Sequence, residues 1–116
     1  MNNGIQYVVN KEKGIVVAFV SGFHNELYAL NRKYGSLRQS YRWLDNLVNR
    51  YPDTYRAIAK CDPRDTFDEK TGKDIATKRL LGKLNYARYN FLMYLYKDIL
   101  KDLADINDKL AILEDF

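Results

Sequence analysis

Cysteine is nearly absent. Cys61 is the one thiol in 116 residues, so no internal disulfide can form, and such sparing use suits a reducing cytoplasm. Histidine is as scarce, and one His with one Cys offers too few ligands for a zinc centre. No apolar run approaches the roughly 18–20 residues that a membrane-spanning helix needs. The first residues, MNNGIQYVVNKEKG, lack a basic segment followed by an apolar one, so export by a signal peptide is not expected. There is no Gly-x-Gly-x-x-Gly run and no phosphate-binding loop, so no nucleotide cofactor is expected. What remains is an ordinary globular composition, 47% hydrophobic and 29% charged, in a chain long enough for a single domain, 1–116, with one core.

Aromatic residues and charge are distributed less evenly. Ten tyrosines, five phenylalanines and one tryptophan are many for this length, and rings left at a surface serve interfaces and stacking. Residues 1–90 carry 16 Lys and Arg against 9 Asp and Glu, whereas residues 91–116 carry 3 against 6. A basic α+β body, 1–90, with an acidic end, 91–116, can meet nucleic acid, an acidic protein surface, or the acidic end of a second copy.

Ile5 to Asn10 and Ile15 to Val20 are rich in β-branched and aromatic residues. With KEKG between them and Gly14 free to take a positive φ, they predict a β-hairpin. A helical period begins at Asn25 and is interrupted at Gly35-Ser36. This predicts a short helical piece, then a better helix over about 37–50, with Leu37, Tyr41, Leu44, Val48 and Tyr51 on one stripe. Pro52-Asp53 stops it. Tyr55 to Cys61 alternates, with Tyr55, Ala57, Ala59 and Cys61 on one face and Arg56, Ile58 and Lys60 on the other, and predicts a third strand. A helix then runs from about Glu69 to Glu114, with Gly82 its weak point. The expected fold class is α+β: a small antiparallel sheet in ββαβα order, packed on helices, with a long C-terminal helix.

That last helix carries a second rhythm. Leu92, Tyr96, Ile99, Leu103, Ile106, Leu110 and Leu113 alternate in steps of four and three, a heptad seam over about three heptads. Packing on its own domain and self-association as a homodimer are both consistent with it.

The most organised stretch is CDPRDTFDEKTGKDIATKR, residues 61–79. Asp62, Asp65 and Asp68 are hard oxygen ligands, but the spacing is not that of a calcium loop, and no glutamate stands twelve positions after the first aspartate. Pro52-Asp53 with Asp68-Glu69-Lys70 formally matches the PD-(D/E)xK nuclease pattern. That chemistry needs the second motif on a strand, and here it falls at a helix start. A cap explains more: Asp65 or Asp68 accepts the first orphan N–H groups, Phe67 anchors the incoming chain, and Gly72 with Ala76 allows close approach to the sheet. No metal site is expected. Cys61 with His24 as a thiol catalyst lacks any accompanying oxyanion device, so the chain is expected not to be an enzyme.

Cys61-x-Pro63-x-Asp65-x-Phe67-Asp68, followed by Gly72, Ile75-Ala76 and Arg79, resembles a strand–turn–helix segment of small uncharacterised proteins encoded by bacteriophages and prophages. The resemblance spans residues 61–79 and implies a phage or prophage source, hence a bacterial host cytoplasm, rather than an activity.

Two functions follow as expectations. The first is a non-catalytic accessory protein that binds a host protein, such as an inhibitor of a defence system of the CRISPR-effector kind. The second is a nucleic-acid-binding accessory protein for single strands or nonspecific duplex. Both would use Arg38, Arg42, Trp43, Arg50 and Arg56, with Lys78, Arg79 and Lys83 on the last helix. No helix-turn-helix, ribonucleoprotein or zinc-finger signature points to a sequence-specific reader.

Overall fold

The hairpin forms where β-branched residues flank a turn that only glycine closes without strain. In the computed structural model, which describes residues 4–35 and 40–114 with side chains to 112, β1 spans Gln6–Asn10 and β2 spans Ile15–Val20. They pair antiparallel from Gln6↔Phe19 to Asn10↔Ile15. At the turn Gly14 has φ +64, and its N–H donates to the Lys11 carbonyl at 3.3 Å. A side chain there would also crowd Cys61, whose Cβ would lie 3.1 Å from an added Cβ.

β3, Tyr55–Lys60, pairs antiparallel with β2, giving the order β1-β2-β3 and the predicted three-stranded sheet. Its alternation holds: Ala57 and Ala59 are buried while Arg56, Ile58 and Lys60 are exposed. Three helices complete the α+β fold: α1, Phe23–Tyr34; α2, Tyr41–Val48; and α3, Glu69–Glu114. α1 is a full helix of 12 residues, longer than the short piece expected. α2 starts at Tyr41, where Ser40 caps it by accepting from the Trp43 N–H at 3.1 Å. Tyr41, expected on the buried stripe, is therefore a first-turn residue and is 87% exposed. Leu47 takes a buried place beside Leu44 and Val48 instead. Leu37 and Arg38 lie outside the described residues. α3 is unbroken through Gly82, whose surroundings are open.

The chain divides into two units, Met1–Phe23 with Pro52–Ala87, and His24–Tyr51 with Arg88–Phe116. In the first, the inner sheet face (Val16, Ala18, Ala57, Ala59) is buried together with Ala76, Leu80, Leu84 and Ala87 of α3. The helix approaches closely at Gly72, where an added Cβ would stand 2.7 Å from Val16 Cγ2. The Tyr7 hydroxyl is hydrogen bonded to Thr77 Oγ1 at 2.6 Å, and the Phe23 ring meets Tyr55 edge-on at 4.8 Å.

In the second unit Leu27, Leu44, Leu47, Val48, Phe91 and Leu95 are buried. Tyr51 presents its ring to Phe91 at 6.0 Å, and its carbonyl is hydrogen bonded to His24 Nε2 at 2.6 Å. Arg88 is ion-paired with Glu26.

Candidate functional site

The aspartate-rich stretch is a helix start. Asp68 caps α3: its carboxylate accepts from the Thr71 hydroxyl and from the Lys70 and Thr71 N–H groups, which hold it below the usual carboxylate range. Asp62 is occupied by Arg64, which donates from Nε at 3.2 Å and from Nη2 at 3.0 Å and also lowers its pKa. Asp65 closes the intervening turn by donating its N–H to the Asp62 carbonyl at 2.9 Å. Among the described residues no three His, Cys, Asp or Glu side chains converge as a metal site would require. Asp53 is engaged near Gly22, whose N–H donates to it at 3.3 Å, and Asp68-Glu69-Lys70 opens a helix as the capping argument requires. Cys61 is half-buried, and its thiol donates to the Asp62 and Asp65 carbonyls at 3.4 and 3.8 Å.

Two of the candidate basic residues serve the sheet. Arg79 donates to the Ile58 carbonyl at 2.7 Å and Lys83 to the Arg56 carbonyl at 2.8 Å. β3 is an edge strand, so these two cations cover backbone acceptors that would otherwise pair with another chain. Arg56 and Lys78 are exposed in the same unit. Arg42 and Arg50 are exposed and Trp43 is half-buried in the other. Arg38 lies outside the described residues.

One surface that sequence reasoning missed is the outer face of the sheet. Because directly paired residues share a face, three rows lie across it: Gln6, Phe19 and Arg56; Val8, Val17 and Ile58; Asn10, Ile15 and Lys60. Val8 is 57% and Ile58 50% exposed, and Ile15, Val17 and Phe19 are half-buried. None of the nine is acidic, and Arg56 and Lys60 make the face positive. The signal was in IVVAFV, which is apolar at successive positions where a strand with one solvated face would alternate.

Four of the six heptad residues with described side chains are exposed. Leu92 and Ile99 are half-buried and Tyr96 is exposed, while Leu103, Ile106 and Leu110 are 56%, 48% and 52% exposed. The helix buries a different line, Phe91 and Leu95, and none of residues 96–112 is buried. The Leu113 side chain lies outside the described residues. No helix among the described residues is long and apolar enough to cross a membrane.

Set against known proteins, the chain matches no family model, no curated protein and no solved structure.

Proposed function

We propose that this is a non-catalytic accessory protein, encoded by a phage or prophage, that binds a host protein through the outer face of its sheet. The observation that supports this is the Val8–Val17–Ile58 row, in which Val8 and Ile58 are exposed. An apolar strip with cations beside it and no carboxylate suits a partner surface that is apolar at its centre and acidic around it. An inhibitor of a host defence enzyme, such as a CRISPR effector, is one activity such docking serves. The second element of the reading is self-association through α3. Leu103, Ile106 and Leu110 repeat at heptad spacing on an exposed face, and a second copy supplies the matching seam.

The test is capture from host lysate by the intact protein, by Val8→Asp with Ile58→Asp, and by Leu103→Asp with Leu110→Asp. A partner retained at stoichiometric yield by wild type and by the helix variant, yet absent with the sheet variant and released by salt, supports docking on the sheet. Equal capture by the sheet variant and wild type overturns it. Light scattering at tens of micromolar addresses the seam separately: a monomeric mass for the wild type removes self-association.

A further inference from the structure

Residues of α2, of the turn after it and of α3 line a groove in the unit His24–Tyr51 with Arg88–Phe116. From α2 and the turn after it come Trp43, Asn46, Leu47, Arg50 and Tyr51; from α3 come Asn90, Met93, Tyr94 and Lys97. The α3 set steps by three, one and three, so it is one face of that helix. The groove holds two cavities, of about 360 and 280 Å³. Trp43 and Asn46 line the smaller, Asn90 and Lys97 the larger, and Arg50 with Tyr94 belongs to both. The Arg50 guanidinium sits 5.7 Å from the centre of the Tyr94 ring.

We infer that this groove binds single-stranded nucleic acid. Both cavities are free of carboxylates, and each is served by a cation, so a ligand with negative charge at more than one point is favoured. Trp43 and Tyr94 offer ring surface along the groove, and stacking on an aromatic ring is how proteins hold unpaired bases of any identity. The Asn46 and Asn90 amides, one per cavity, can donate to and accept from exposed base edges. Arg50, already over a ring, can neutralise a phosphate and stack beside a base at once. Duplex DNA is disfavoured, because reading it calls for an element that projects into a groove, whereas here the protein supplies the groove. A protein partner is disfavoured because Leu47 and Met93 are the only aliphatic lining residues. Of the side chains first considered for nucleic acid, the fold gathers Trp43 and Arg50 and adds Tyr94, Asn90 and Lys97.

The experiment is fluorescence anisotropy of the full chain with a labelled single-stranded DNA and the corresponding RNA at low and moderate salt. A duplex of the same sequence and a mononucleotide serve as competitors. Trp43 is the only tryptophan, so its quenching reports occupancy of the groove directly. The expected result is salt-sensitive binding with Trp43 quenched, displaced by unlabelled single strand and poorly by duplex or mononucleotide. Arg50→Ala with Lys97→Ala lowers the slope of log affinity against log salt by about 1.4, near 0.7 for each phosphate that is no longer neutralised. Trp43→Ala weakens binding about tenfold, and Trp43→Phe restores most of it. Lys97→Glu, at an exposed helical position, repeats the weakening with least risk to folding, which circular dichroism checks. Ile58→Asp on the sheet leaves oligonucleotide binding unchanged, so failure here and failure of host-protein docking are told apart. Absence of binding at low salt, unchanged binding in Lys97→Glu, or a preference for duplex or mononucleotide overturns the proposal.

Discussion

One helix, α3, is treated in two ways by its surroundings. From Glu69 to Ala87 it presents small and apolar residues at helical spacing, and Ala76, Leu80, Leu84 and Ala87 are all buried. From Tyr96 to Ile112 its apolar spacing is at least as regular, and none of those residues is buried. The difference lies in what stands opposite. The first stretch has a sheet whose buried inner residues are alanine and valine, which lets the helix approach closely enough to exclude water. Along the second, no residue from 96 to 112 is buried, and regular spacing by itself removes little surface from water.

Core substitution should separate the two stretches most widely. Leu80→Ala is expected to cost about 2–5 kcal/mol in urea unfolding, since a fully buried side chain leaves a cavity behind. Leu110→Ala, half exposed, should stay within about 0.5 kcal/mol for the monomer and act on self-association instead. Comparable destabilisation at both positions would remove the contrast.

The two glycines of α3 should respond with opposite signs. Gly72→Val drives a branched side chain into buried Val16 and is expected to cost about 1–3 kcal/mol through overpacking. At Gly82 nothing lies within 4 Å, so Gly82→Ala should stabilise by about 0.5–1 kcal/mol, as an open helical glycine allows. Thermal melting of both variants decides it.

Salt should sharpen the comparison further, with changes of a few-fold. Residues 98–114 carry Asp98, Asp102, Asp105, Asp108 and Glu114 against Lys101 and Lys109, so two such segments repel and their association should tighten as salt rises. Docking of an acidic partner on the sheet face should weaken over the same range. Light scattering and capture assays at two salt concentrations would show whether the signs differ.

The smallest effect is at the start of α3. A carboxylate with a depressed pKa contributes stability that is complete above its unfolded value and is lost as pH falls through the folded one. The contributions of Asp68, held down by the Thr71 hydroxyl, and of Asp62, held down by Arg64, are therefore complete above about pH 4 and lost below it. Asp68→Asn should therefore cost a little stability at neutral pH, where the contribution is complete, change little below about pH 4, and so flatten the acid limb of the stability curve.

Much of the fold was legible in short-range pattern. Gly14 located the hairpin turn, the alternation in YRAIAK located β3, and the absence of any strong breaker carried α3 to Glu114. The start of α2 departs from the periodicity because Ser40 caps it, and a stripe drawn through Tyr41 ignores that cap. The candidate site was less legible. Arg79 and Lys83 read as free cations in the sequence, and only the open edge of β3 shows that their charges lie on backbone carbonyls. Tyr94 and Lys97 do not stand out because nothing in a linear sequence places them beside Trp43 and Arg50, which are remote along the chain.

Local chemistry in the sequence determined the strands, the turn, the cap at Asp68 and the length of α3. These depend on backbone preferences and hydrogen bonds reaching only a few residues along the chain. Tertiary structure decided which apolar residues became core and which stayed in water, and which cations remained available to a partner. Burial and ion placement depend on what lies opposite in space, and residues far apart in the sequence supply that.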